Sequence, residues 1–229
     1  MKNEIKQEPI FVDSDKNGVI HTDWRTDKLK NLELTSSYNR LKDKKKAHKC
    51  CDCGTYLEFD FDPITGVRKL RKANFCKLRL CPMCIKRRQK KIYGQMSQIM
   101  NVLEKDYAFV FLTLTQKNVI GDELPEELGK LLKGWEKLRH RKAFKQAVKG
   151  WFRALEITHN LEENSLSYDT YHPHYHVVLV VNKSYFTDKT YIKHESWCKM
   201  WQECLGLDYL PNVDVRRFKT STKKELKKS

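Results

Sequence analysis

The sequence predicts an α+β protein, a central antiparallel sheet with flanking helices, preceded by a small cysteine-rich module. Three observations carry that prediction. Apolar, β-rich runs occupy 109–115, 151–158 and 174–181. Between and after them lie segments whose apolar residues recur at helical spacing, and strands grouped antiparallel with long helical crossovers indicate α+β. Six of the eight cysteines fall between Cys50 and Cys84. A chain of 229 residues suffices for one sizeable domain plus an appendage. The expected division is a basic N-terminal arm over 1–49, a cysteine module over 50–84 and the main domain over 85–229.

Charge narrows the partner. With 45 Lys and Arg against 29 Asp and Glu, the net charge of +16 predicts a polyanion, either nucleic acid or an anionic membrane surface. No run of 18 apolar residues is present, and the start Met1-Lys2-Asn3-Glu4-Ile5-Lys6 lacks the apolar core of a signal peptide. A cytoplasmic protein with no membrane partner is therefore expected. Cysteines in that setting are thiols or metal ligands rather than a disulfide framework.

In chain order, 1–48 is charged and nearly aperiodic, and reads as a loosely ordered arm with one helix near Trp24–Leu41. The run Lys44-Lys45-Lys46 is solvated or touches phosphates. Cys81-x-x-Cys84 forms a metal knuckle, because the intervening turn aims both sulfurs inward and thiolates prefer Zn²⁺. Cys76 lies five positions earlier, and a further ligand must come from Cys50, Cys51 or Cys53. Spacing alone favours a second knuckle, Cys50-x-x-Cys53. Residues 56–59 and 66–70 read as a hairpin turning at Asp62-Pro63-Ile64-Thr65-Gly66. A helix over about 85–105 follows, with Ile85, Ile92, Met96, Ile99 and Leu103 as its apolar stripe. Its early turns carry Lys86, Arg87, Arg88, Lys90 and Lys91, placed to meet backbone phosphates.

Phe109 to Thr115, apolar on both faces, is the expected central strand, with Thr113, Thr115 and Asn118 at its exit. Leu124, Leu128, Leu131, Trp135 and Leu138 predict one amphipathic helix across 122–148. Then come the strand 151–158 bearing Glu156, a polar loop over 160–170, and the strand 174–181 bearing a histidine pair. A helix near 189–204 buries Trp197, Met200, Trp201 and Cys204, and a short strand over 212–217 closes the order.

The pair is His174-Tyr175-His176. Alternate side chains of a strand share a face, so the two imidazoles converge while Tyr175 and Val177 point away. Two imidazoles hold a divalent ion weakly, and Glu156 on the antiparallel neighbour is the expected third ligand. Such a donor set accepts Mn²⁺, Mg²⁺, Co²⁺ or Zn²⁺.

These stretches resemble the replication initiators (Rep) of rolling-circle plasmids from Gram-positive bacteria, within the HUH endonuclease superfamily. Phe109-Val110-Phe111-Leu112-Thr113-Leu114-Thr115-Gln116-Lys117-Asn118-Val119 is similar to the family's first motif, and His174-Tyr175-His176 to its second. Phe75-Cys76-Lys77-Leu78-Arg79-Leu80-Cys81-Pro82-Met83-Cys84, followed by Arg87-Arg88, is a third match. The resemblance implies the HUH-type sheet, Mn²⁺ or Mg²⁺ at His174, His176 and Glu156, and structural Zn²⁺ on Cys53, Cys76, Cys81 and Cys84. It implies DNA contacts from Thr113, Thr115, Asn118, Arg87 and Arg88. The expected partner is plasmid origin DNA, single-stranded or as a hairpin, with host helicase and polymerase beside it. Its chemistry is metal-assisted attack by a tyrosine hydroxyl, leaving a 5′-phosphotyrosine link and a free 3′-OH.

The family's third motif, Glu-x-x-x-Tyr-x-x-Lys, has no match before Ser229, so no catalytic residue is assigned. Tyr185, Tyr191 and Tyr209 are conceivable nucleophiles outside that context. The preferred expectation is a C-terminally truncated relative that binds metal and DNA with little or no nicking. A zinc-dependent hydrolase using His172, His174 and His176 is a different class of reading, which the basic charge disfavours.

Overall fold

The computed structural model describes residues 11–218. Two compact units divide the chain, Met1–Gln98 and Ile99–Ser229.

In the first unit, β1 (Val12–Ser14), β2 (Ile20–Asp23), β3 (Leu57–Phe61) and β4 (Arg68–Ala73) form an antiparallel sheet of order β2-β1-β4-β3. Two helices, α1 (Trp24–Arg40) and α2 (Lys44–Asp52), lie between β2 and β3, and α3 (Pro82–Leu103) follows β4. Both α1 and α2 begin at an aspartate cap: Thr26 N–H donates to Asp23 and Lys46 N–H to Asp43, each at 3.0 Å. The stretch expected as a loose arm is thus two strands and two helices over its described part. Its polar surface hides a few buried anchors, Trp24 and Asn31 on α1 and Ala47 and Cys50 on α2, too widely spaced to show as an apolar stripe. Trp24 and Cys50 pack with Cys53, Cys81, Met83 and Cys84. Gly54, at φ +71°, follows the first of these cysteines, and a Cβ there would stand 2.3 Å from the Met83 sulfur.

The second unit contains β5 (Tyr107–Leu114), α4 (Leu124–His140), α5 (Lys142–Ala147), β6 (Val148–Asn160), β7 (Thr170–Asn182), a 3-10 turn (Lys183–Phe186), α6 (His194–Leu205) and β8 (Val213–Arg217). Its sheet runs β6-β7-β5-β8, antiparallel throughout. The single helix expected over 122–148 is two, because Arg141 is extended (φ −62°, ψ 140°) and breaks the helical ladder, and β6 starts at Val148. Leu131, Trp135 and Leu138 of α4 and Trp197, Trp201 and Cys204 of α6 form one core with Val110, Leu112 and Leu114 of β5. Tyr175, Val177, Leu179 and Val181, every second residue of β7, join that core. Each such large apolar side chain contributes about 1.5–3 kcal/mol on burial. Gly206 (φ +72°) closes α6, its N–H donating to Gln202 O at 2.9 Å.

Period-two alternation sends His172, His174 and His176 to the face away from α4 and α6. Pro173 is tolerated because β5 pairs with β7 only from Tyr175 onward, leaving no strand on that side to miss its N–H. No helix of the described residues is long and apolar enough to cross a membrane.

Candidate metal centres

Strand register builds the first centre. Glu156 of β6 stands directly opposite His174 of β7, and Thr113 of β5 opposite His176. The two Nε2 atoms lie 3.2 Å apart, and a Glu156 carboxylate oxygen is 3.6 Å from that of His174 and 3.1 Å from that of His176. Donors at right angles around an ion about 2.1 Å away stand about 3 Å apart, so the spacing fits.

The outer nitrogens decide what the inner ones offer. His174 Nδ1 lies 3.0 Å from the His172 carbonyl, which only accepts, so that nitrogen carries the hydrogen and Nε2 presents a lone pair. His176 Nδ1 lies 3.3 Å from the Thr113 hydroxyl, and donation to it leaves the same arrangement. Phe111 stacks on the His176 ring at 5.5 Å and 24°. Three lone-pair donors then face one point, an arrangement that a cation relieves. Burial and then its neighbour His174 push the His172 imidazole below the ordinary value.

The second centre gathers Cys53, Cys76, Cys81 and Cys84. Sulfur separations are 3.5 Å for Cys53–Cys81, 3.6 Å for Cys76–Cys84 and 3.7 Å for Cys53–Cys84. A tetrahedral ion with bonds of about 2.3 Å separates its sulfurs by about 3.8 Å. Backbone N–H groups point at the sulfurs: Cys76 N donates to Cys53 (3.4 Å), Lys77 N to Cys84 (3.3 Å) and Leu78 N to Cys76 (3.4 Å). Hydrogen bonding with Cys53 draws the Cys81 thiol down to about 5. Burial, reinforced by the Cys81 charge, pushes Cys84 up to about 12, and the hydrogen bond shared with Cys81 raises Cys53. Cys50 is elsewhere: its thiol donates to Asn31 Oδ1 at 2.7 Å, while the Asn31 amide donates to the Cys50 carbonyl. Cys51 is exposed. The reversed preference, Cys53 without Cys50, has its cause in Asn31, which spacing does not reveal.

Lys77 adopts φ +63°, a left-handed conformation that costs a non-glycine residue about 1–2 kcal/mol.

Most of the residues expected at DNA have internal partners as well. The Thr115 hydroxyl donates to Asn212 O (2.7 Å), and the Asn118 amide donates to Thr170 (2.9 Å). Arg87 lies over the Phe75 ring at 4.8 Å, and Arg88 is exposed. Of the tyrosines, Tyr185 is buried and accepts from Ile192 N–H at 3.2 Å. Tyr191 packs against Tyr185. Tyr209 accepts from Lys117 N–H at 2.8 Å, with the Lys117 ammonium 4.0 Å above its ring. Sequence reasoning passed over Asn31 and the role of Thr113 beside His176. Only the Thr-x-Thr row hinted at the latter.

Comparison with known proteins agrees with the motifs. The family model described as "Replication protein" matches residues 67–229. A Bacillus sp. chain named "Protein rep" is 46% identical over 181 residues, covering 78% of this chain and 57% of its own length. A second "Protein rep", from Bacillus amyloliquefaciens, is 42% identical over 210 residues, covering 88% of this chain and 60% of its own. A third, from Streptococcus pneumoniae, is 38% identical over 225 residues, 96% of this chain and 68% of its own. The chain thus spans about three fifths of the length of the first two relatives. No solved structure matches at a significant level. Matched by the replication-protein model over most of its length, and by several Rep chains at this identity, the chain belongs to the Rep replication-protein family, the plasmid replication initiators its motifs resemble.

Proposed function

We propose that this chain acts in rolling-circle plasmid replication, engaging the double-strand origin so that one DNA strand is nicked by metal-assisted tyrosine transesterification. The observation that carries the reading is the convergence of Glu156, His174 and His176 on one point of the sheet. When bound there, a divalent ion such as Mn²⁺ or Mg²⁺ supplies Lewis-acid polarisation of the scissile phosphate. The chain's own residues do the positioning. The His172 carbonyl and the Thr113 hydroxyl hold both imidazoles with Nε2 inward, and Glu156 supplies the negative charge. In the reaction a tyrosyl oxygen bonds to phosphorus and the P–O3′ bond breaks. The tyrosine's proton is passed on, and the 3′-oxygen leaves to become the hydroxyl that primes synthesis.

Thr113, Thr115, Asn118, Arg87 and Arg88 are the proposed DNA contacts, Zn²⁺ the proposed ion at the four cysteines, and host helicase and polymerase the proposed partners in the cytoplasm. A second reading, origin binding without nicking, draws support from the buried hydroxyl of Tyr185 and from the hold of Lys117 on Tyr209.

The test is a single-stranded oligonucleotide carrying the plasmid's own origin, incubated with the protein and Mn²⁺ and run on a denaturing gel. A covalent adduct that His174→Ala abolishes is the expected result for nicking. A retained gel shift with no adduct favours the binding-only reading, and neither adduct nor shift overturns both.

A further inference from the structure

One face of α3 combines metal ligation with unpaired positive charge. Cys84, Arg87, Arg88 and Lys91 follow the spacing i, i+3, i+4, i+7 and so lie in one stripe. Together with Lys77 and Phe75 they line a surface cavity of about 300 Å³ beside the four cysteines. No acidic residue lines it. Among the described residues, Lys77, Arg88 and Lys91 have no ion-pair partner, and Arg87 rests on Phe75. Four cations around so small a space repel one another, and an anion is what removes that repulsion.

Lys77 sharpens the point. It holds a left-handed backbone conformation while its N–H donates to the Cys84 sulfur. Glycine serves that geometry with less strain. A lysine held there at a conformational cost directs attention to its side chain, and Lys77 lines the cavity.

We propose that this cavity is a phosphate-binding site for the backbone of duplex DNA, organised by the four-cysteine centre. The inference rests on the reading of the chain as an origin-binding protein, and it extends the proposed contacts Arg87 and Arg88 to Lys77 and Lys91 around one cavity of the first unit. Cys84 fixes which face of α3 looks outward, and the knuckle N–H to Cys84 fixes Lys77. Contact with phosphates positions a duplex without reading its sequence.

The test is the salt dependence of binding to a duplex without an origin, followed by fluorescence anisotropy on the full chain. Each lost phosphate contact on duplex DNA lowers the slope of log K against log salt by about 0.9. The triple variant Lys77→Ala, Arg88→Ala, Lys91→Ala is expected to reduce the slope by about 2–3 and to weaken binding at least tenfold. The charge-keeping variant Lys77→Arg, Arg88→Lys, Lys91→Arg should retain most of the slope. Lys77→Gly separates role from fold. It should unfold no earlier than the parent, keep its metal, and still lose about one unit of slope. An unchanged slope in the triple variant overturns the proposal. So does a slope loss that the charge-keeping variant shares fully, or a cavity that binds inorganic phosphate while the duplex slope is unaffected. The metal-dependent adduct with single-stranded origin DNA reports separately on the His-centred reading, so failure of one leaves the other legible.

Discussion

Thr113 on β5 stands directly opposite His176 on β7, its hydroxyl oxygen 3.3 Å from the Nδ1 of that ring. This contact turns a strand threonine into a support for a candidate metal ligand, by holding the imidazole with Nε2 toward Glu156. Loss of such a partner typically weakens metal binding 10–100-fold. Thr113→Val, which keeps the shape and removes the hydroxyl, is expected to weaken Mn²⁺ binding roughly tenfold. Thr113→Ser is expected to stay near the parent. Titration calorimetry with Mn²⁺ checks both.

Glu156 contributes the only negative charge of its centre, from a half-exposed side chain on the sheet-edge strand β6. Glu156→Gln keeps size and polarity, so the change in folding stability is expected to remain within about 0.5 kcal/mol. Metal affinity is expected to fall at least as far as in Thr113→Val. Thermal unfolding alongside metal titration separates the two effects, and equal Mn²⁺ affinity in variant and parent would remove Glu156 from the ligand set.

Cys50 and Cys81 should differ sharply. The Cys50 thiol is donated to Asn31, whereas Cys81 sits among the four gathered sulfurs. Cys50→Ala is expected to retain the bound metal and lose about 1–2 kcal/mol of stability, since Asn31 Oδ1 is left buried without a donor. Cys81→Ala is expected to lose the metal and much of the first unit's structure. Elemental analysis of purified variants decides this, and a metal-free Cys50→Ala would return Cys50 to the ligand set.

Metal loading at the cysteines is expected to release protons. Cys84 is pushed up to about 12 and Cys53 is likewise raised, so at neutral pH both are thiols that must lose a proton to ligate. Cys81, drawn down to about 5, is already a thiolate there. Zn²⁺ titration in two buffers of different ionisation enthalpy should show release of at least two protons per ion, one each from Cys53 and Cys84. Affinity should fall steadily as pH drops from neutral, and steeply as it passes the Cys81 value. Proton uptake on binding would contradict the ligand set.

Much of the second unit was legible because its signals are local. The period-two run through His174 and His176 carries its own facing rule, and the stripes at Leu131, Trp135 and Leu138 and at Trp197, Trp201 and Cys204 are helical by spacing. The break at Arg141 was not legible, since nothing in its side chain forbids a helix and the turn into β6 is imposed by the packing of that strand on β7. In the N-terminal stretch the helix at Trp24–Arg40 was legible, whereas β1, β2 and α2 were hidden because few of their residues are buried, and those few meet partners distant in sequence.

By itself the sequence determined the net positive charge, the two neighbourhoods of candidate metal-ligating residues and the α+β class, for these follow from residue type and short-range periodicity. Only the tertiary structure decided the rest. Strand register put Glu156 across from His174 and Thr113 beside His176. Asn31, nineteen positions from Cys50, withdrew that thiol from the cysteine centre. The turn at Lys77 and the rotation of α3 set Lys77, Arg87, Arg88 and Lys91 around one cavity. Each of these depends on which distant backbone segments pair or pack, and that choice is made by the burial free energy of the whole core rather than by neighbours along the chain.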